Sequence, residues 1–413
     1  MKKLVALLLV LVLCIGMVAC SAKNEPASDA SSAATASQPS ADAAANSGST
    51  SDDAATDTAD NSDKSVVVIM QAGGLGDQGY NDCAKIGLDQ MVEKYGLNGT
   101  LVEAPSAAEA DTFVRQLAED GYQLVICLDW TIIDYVREAS KDYPDVMFLV
   151  LGKGAPGPGT QENLVEPYTA LHEWAFEAAM ASILIAQDGN ELFEENARPG
   201  CKIAMIRAGE SVNATRSRAA YQQCIEELNP DAEAVFDYTG SYTDSALNQQ
   251  IVENMIKNQG VEVVWPCVGT GALAAFTTAK LNHAYALGCD SNQDAVEPGT
   301  IPTSVLHNTT YMVINTIEEW MNGTLKGTNE YYWGLASGVV GLTDFATIAG
   351  VEGVNLDNLE RIKSTINEWN ERIINGDFIV YDSFQNDNME YNEWKELHPD
   401  TNYTEWVKAG RPA

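Results

Sequence analysis

Eleven consecutive residues, Gln71-Ala72-Gly73-Gly74-Leu75-Gly76-Asp77-Gln78-Gly79-Tyr80-Asn81, follow an apolar run and join four glycines to a carboxylate, amides and a tyrosine. From Gly74 they contain G-x-G-x-x-G, with Glu103 further on, the layout of a dinucleotide-binding turn. The same glycines equally describe a tight turn and nothing more. Tyr80 is harder to place in a core, because a glycine-rich loop lets the chain approach a ligand. Its ring would take a planar heterocycle, worth roughly 1–3 kcal/mol per stacked base. Trp265, in Val264-Trp265-Pro266-Cys267, offers the same chemistry or is a core tryptophan. Asp290 has acceptor-only oxygens that suit a diol, yet Asp290-Ser291-Asn292 after a strand is also a helix N-cap. His307 is the side-chain type that titrates near neutral pH.

No Ser-His-Asp set, paired-carboxylate motif or metal cluster stands out. The six cysteines beyond the leader (Cys83, Cys127, Cys201, Cys224, Cys267, Cys289) lack CxxC spacing. Several lie in strand-like runs such as Val125-Ile126-Cys127-Leu128, as small core residues do. No cofactor is expected, and an exported enzyme such as a nucleoside hydrolase has no visible catalytic set.

These residues need elements to hold them. Short apolar runs occur at Val66–Met70, Leu124–Leu128, Val146–Leu151, Ile203–Ile206, Val261–Trp265 and Ala286–Cys289. Between them lie amphipathic stretches. Ala84, Leu88, Met91, Val92 and Tyr95 share one helical face from Asp82 to Tyr95, with Gly96 placed as the cap. Ser106-Ala107-Ala108-Glu109 reads as a capping box opening a helix to about Asp120. Alternation of this kind predicts an α/β fold with parallel sheets. Its length predicts two lobes with a cleft at the carboxyl ends of the strands.

The chain carries 59 acidic and 24 basic residues among 413, a formal charge of -35. That balance excludes a phosphate-backbone partner, so no nucleic acid is expected, and it disfavours adsorption to an anionic membrane through the protein body. Lys2 and Lys3 precede an apolar run, Leu4 to Ala19, which is short for a membrane span and ends in small residues like a secretory signal. Gly16-Met17-Val18-Ala19-Cys20 then resembles a bacterial lipoprotein signal, with Cys20 as the lipidated N-terminus. From Ser21 to Lys64 there is no aromatic residue and no Val, Ile, Leu or Met, which predicts a disordered tether. Its reach would be roughly 35–40 Å. Export also argues against NAD at the glycine loop.

The run Gly73 to Asn81 resembles the G-G-x-x-D-x-S-F-N segment of the basic membrane protein family, lipoprotein substrate-binding subunits of ABC transporters that include purine nucleoside receptors. Further segments match in order. Tyr238 to Asp244 resembles W-x-G-S-F-x-D, and Val264 to Gly271 resembles I-F-P-V-A-G-G-T-G. Leu287 to Gln293 resembles G-V-D-S-D-Q, Thr303 to His307 resembles T-S-V-x-K, and Gly338 to Leu342 resembles G-G-V-G-L. The resemblance spans Ser65 to Tyr381 and implies a type I periplasmic-binding-protein fold closing on a small ligand.

It further implies a signal at 1–19, a tether at 20–64, and an N-terminal lobe of 65–168 plus about 300–330. The C-terminal lobe would be 169–299 plus about 331–381, followed by an extension, 382–413, packed across a lobe. The site residues implied are Gln71, Tyr80, Asn81, Trp265, Gly269, Asp290 and His307, with Tyr80 and Trp265 sandwiching a base and Asp290 holding ribose hydroxyls. Gln71 stands where the family has a base-reading Asp, and His307 where it has a lysine. An amide both donates and accepts, so the preferred ring edges change, and riboflavin or a sugar is the alternative ligand. The partners implied are a small neutral ligand, an ABC permease, and the membrane through the lipid anchor alone.

Overall fold

The computed structural model describes residues 61–152 and 154–411. The expected signal, the Cys20 lipidation site and the tether up to residue 60 lie outside the described residues. Residues 61–64, which the expected tether included, are described and make contacts. The Asn61 amide donates to the Tyr95 carbonyl at 2.7 Å, and the Lys64 ammonium lies 5.1 Å from the Trp320 ring centre.

The first lobe alternates β1 (Ser65–Met70), α1 (Tyr80–Tyr95), β2 (Asn98–Glu103), α2 (Ala110–Glu119), β3 (Leu124–Cys127), α3 (Ile133–Asp142), β4 (Met147–Val150) and β5 (Leu164–Val165). All neighbours in its sheet, ordered β2-β1-β3-β4-β5, run parallel. The central strand β1 reads SVVVIM because both of its faces are covered by helices. Gly96 ends α1 in the left-handed region at φ 66°, its N–H on the Val92 carbonyl. The capping box is displaced: α2 begins at Ala110, and the Ser106 hydroxyl spends itself on the Glu109 carboxylate at 2.8 Å.

Beyond β6 (Tyr168–Thr169) comes α4 (Leu171–Ala186), buried along its whole length. A mostly apolar helix belongs inside, and its polar groups His172, Glu173, Glu177 and Ser182 are buried with it. It packs on α5 (Val212–Leu228) and on the second sheet. That lobe continues with β7 (Lys202–Arg207), β8 (Glu233–Tyr238), α6 (Ser245–Gln259), β9 (Val263–Cys267), α7 (Ala272–Leu281), β10 (Tyr285–Ala286) and β11 (Gly288–Asp290). The parallel order β10-β9-β7-β8 passes across Leu287 into β11-β12-β14, where β12 is Ser304–His307 and β14 is Val340–Leu342. β14 alone runs antiparallel.

From β12 the chain returns to the first lobe as α8 (Thr309–Met321), which lies on α1. Gly87 makes that approach possible, since a Cβ there would stand 2.8 Å from the Thr310 carbonyl. β13 (Tyr332–Trp333) then pairs with β6, so two crossings lie side by side. α9 (Ala346–Ala349) and α10 (Leu356–Ile374) complete the second lobe. Finally α11 (Tyr391–Leu397) and α12 (Tyr403–Lys408) bury Tyr391, Trp394 and Tyr403 with Tyr381 against Ala219 of α5. Among the described residues the cysteines are unpaired, and no helix is long and apolar enough to cross a membrane.

Candidate ligand-binding site

The loop after β1 is held by its own side chains. Gly73, Gly74 and Gly76 sit at φ 107°, 62° and 97°, a region that penalises a Cβ. The Asp77 carboxylate accepts the backbone N–H groups of Gly79 (2.9 Å), Asn81 (3.0 Å) and Asp82 (3.2 Å), which caps α1 and starts it at Tyr80 rather than Asp82. Asn81 accepts from the Gln71 N–H at 3.0 Å and donates to the Gly74 carbonyl at 2.9 Å. Asn81 therefore holds the loop with the amide expected to touch ligand. Tyr80, its hydroxyl on the Leu128 carbonyl at 3.2 Å, forms one wall of a cleft.

That cleft holds about 640 Å³ of empty space, open solvent at its mouth included. It lies beyond the carboxyl ends of both sheets. Gln71, Tyr80, Asn81, Gly269, Asp290 and His307 all line it. Gly269 is needed for backbone approach: its φ is 53°, and a Cβ would sit 3.0 Å from the Tyr242 carbonyl. At the rim the lobes touch, with the Gln78 carbonyl accepting from Ser291 and, at 3.0 Å, from the Gln293 amide.

Trp265 is not in the lining. It is fully buried at the middle of β9, edge-on to Trp174 at 4.4 Å between centroids and stacked on Tyr221 at 6.0 Å. The apolar run ended at Trp265 in sequence, but the strand continues through Pro266 to Cys267, and the cleft opens only at Cys267. Two residues of strand displace a side chain by about 6–7 Å along the sheet. The aromatic rings that do line the cleft with Tyr80 are Trp130, Trp174 and Tyr242. Trp174 lies in the mostly apolar, fully buried α4, where nothing in the sequence separates a cleft-facing ring from a core one. Tyr242 was in plain view, in the quoted segment after β8.

Burial, reinforced by the Asp77 charge, pushes the Asp290 carboxyl up to about 7. Asp290 does not cap a helix, since β11 leads into turns before β12; its φ of 69° is instead strain at the site. His307 stacks on Tyr80 at 5.5 Å and places Nδ1 3.9 Å from the Asp290 Oδ1. Burial and the Arg207 charge push its imidazole down to about 3. It is neutral at physiological pH, contrary to the expected titration near neutrality, and its buried Nε2 has no partner. Two charged groups outside the expected set of site residues also line the cleft: Asp77, and Arg207 at the end of β7.

A raised Asp290 pKa stabilises the folded state below its unfolded value of 3.8, and the contribution is lost as pH climbs through about 7. With the side chain 22 % exposed, Asp290→Asn is expected to raise stability at pH 8 on the order of 2 kcal/mol and to change little at pH 4. Urea unfolding at the two pH values checks this; equal shifts at both would show that no buried charge is relieved.

The family described as "ABC transporter substrate-binding protein PnrA-like" matches residues 64–383. The nucleoside-binding protein BmpA of an ABC transporter from Lactococcus lactis subsp. cremoris is 23% identical over 269 residues, covering 62% of this chain and 72% of its own. An uncharacterised lipoprotein of Pyrococcus abyssi is 22% identical over 305 residues, 69% of this chain and 72% of its own. Among solved structures, an ABC transporter solute-binding protein from Aeropyrum pernix superposes with a TM-score of 0.64 at 22% identity, covering 84% of this chain and 98% of that one.

Proposed function

Because the chain belongs to the PnrA-like family of ABC transporter substrate-binding proteins, we propose that it is a lipid-anchored, extracytoplasmic receptor for a nucleoside-like heterocycle, which it delivers to its permease. The observation that carries this reading is the convergence of Tyr80, Trp130, Trp174 and Tyr242 with the Asp290 carboxyl on one cleft between two lobes. Aromatic faces suit a planar ring, and a carboxyl at the same cleft suits a diol. Tyr80 comes from the first lobe and Tyr242 from the second, so a ring gripped by both favours the closed arrangement. The anchor is proposed at Cys20, and relatives that bear the name lipoprotein support it.

Purine and pyrimidine nucleosides, nucleobases, riboflavin and simple sugars should be compared by thermal shift, since a binder stabilises by mass action. Nucleosides are expected to raise the melting temperature; a response confined to sugars would sink the heterocycle. In the same assay format, Tyr242→Ala is expected to weaken nucleoside binding roughly 10- to 100-fold, from about 1–3 kcal/mol of stacking. Tyr80→Ala should do the same, whereas an unchanged Kd in Tyr242→Ala would remove that ring from the grip.

A further inference from the structure

Arg207 ends β7 at the carboxyl edge of the second sheet, is 8 % exposed, and lines the cleft. Its hydrogen bonding is meagre for a group with five N–H donors: Nη1 meets the Ser217 hydroxyl at 3.4 Å, and the guanidinium lies 5.5 Å from the Trp174 ring centre. Among the described residues no carboxylate oxygen stands within 4.0 Å of it. Two nearby acids are engaged elsewhere, and a third, Asp290 on the same cleft wall, feels the Arg207 charge without reaching ion-pair distance. Asp77 holds three backbone N–H groups, and Asp129 holds the Ala72 N–H at 3.1 Å and Thr131 through its N–H at 2.7 Å and its hydroxyl. Buried charges are normally paired and hydrogen-bonded, and Arg216 on the neighbouring helix α5 obeys that rule with Asp382. Among the described residues Arg207 has no such ion-pair partner.

Building on the proposed heterocycle site, we infer that the ligand carries an anionic edge, two adjacent acceptor atoms sharing a negative charge, which pairs bidentately with Arg207. The guanidinium fork matches such an edge, and the Trp174 ring 5.5 Å away leaves its charge without a hydrogen-bond acceptor on that side. This replaces the expectation of a neutral ligand. Of the two lining carboxylates, Asp77 is committed to three backbone N–H groups, and the rise of the Asp290 carboxyl to about 7 lessens the repulsion it offers an incoming anion. Two sources present this edge: an exocyclic carboxylate beside the ring, or the deprotonated imide of an oxo-rich ring.

Matched pairs separate them. Dissociation constants for orotidine against uridine, and for xanthosine against inosine, would be measured by calorimetry at pH 7.5 on the full chain and on Arg207→Gln. In the unaltered protein at least one acidic member is expected to bind 30-fold or more tighter than its neutral partner, and the responding pair names the source. Arg207→Gln should cut that ratio below threefold. Neutral members binding equally well, or a ratio that survives in Arg207→Gln, would overturn the inference while leaving the heterocycle site intact. If no nucleoside binds, the proposed function fails, and ligand-free stability still tests Arg207. Arg207→Met is expected to raise the melting temperature by several degrees, because an unpaired buried charge is removed; a fall would show that the protein already satisfies Arg207, and the inference would be wrong.

Discussion

Asp382→Asn is expected to cost the folded unit about 3–5 kcal/mol, because it strands a buried guanidinium. The Asp382 side chain is 5% exposed and that of Arg216 2%. They pair through two parallel bonds, Nε to Oδ1 at 2.7 Å and Nη2 to Oδ2 at 2.8 Å. Arg216 further donates to the Thr169 carbonyl at 2.8 Å, meets His172 Nδ1 at 2.9 Å, and is covered by the Phe384 ring at 4.4 Å. The Tyr168 hydroxyl also donates to Asp382. One carboxylate thus ties the segment after α10 to β6, where the chain first crosses between lobes, and to α5. Burial of this kind does not imply that the pair adds net stability over an apolar pair. Arg216→Met with Asp382→Leu is accordingly expected to recover most of what Asp382→Asn loses. Guanidinium-induced unfolding of the two variants beside the unaltered protein measures both effects; a loss below about 1 kcal/mol for Asp382→Asn would mean that water reaches the pair.

Trp265→Ala should be nearly as damaging, by about 3–5 kcal/mol, and in stability rather than in affinity. The indole fills the space between Trp174 and Tyr221. Its Nε1 has no hydrogen-bond partner, so Trp265→Phe removes an unsatisfied donor along with some volume and should be tolerated far better. Measured on the folded fraction, Trp265→Phe is expected to keep the nucleoside Kd within a few-fold of the unaltered protein, while Tyr242→Ala does not. The reverse order would place the Trp265 ring on the ligand and Tyr242 outside the grip.

The difference between these two aromatics shows how far sequence reading reaches. Tyr80 was identifiable because glycines at left-handed φ surround it, and such a loop has few reasons to exist away from a ligand. Asp290 and His307 were identifiable from their segments, as was Gly269. Their electrostatics were not, since a His and an Asp share one type each until burial and the Arg207 charge push His307 down to about 3, and burial with the Asp77 charge pushes Asp290 up to about 7. Asn81 stood in the right loop, but its amide turned out to serve the loop itself. Arg207 closes an apolar strand and gave no signal in one dimension, because its meaning depends on which carboxylates fail to reach it.

By itself, the sequence determined the α/β alternation, the parallel sheets, the glycine turn after β1 and the family to which the chain belongs. These rest on local propensity, on hydrophobic period and on short ordered motifs, all of which a chain carries without folding. Only the tertiary structure decided which rings face the cleft, that Trp265 is buried behind Trp174 outside the lining, that Asp382 pairs with Arg216, and that Arg207 has no ion-pair partner among the described residues. Those facts depend on where a strand stops relative to the cleft and on distances between residues far apart in the chain. Burial and pairing, which set the cost of each charge, exist only once those distances are fixed.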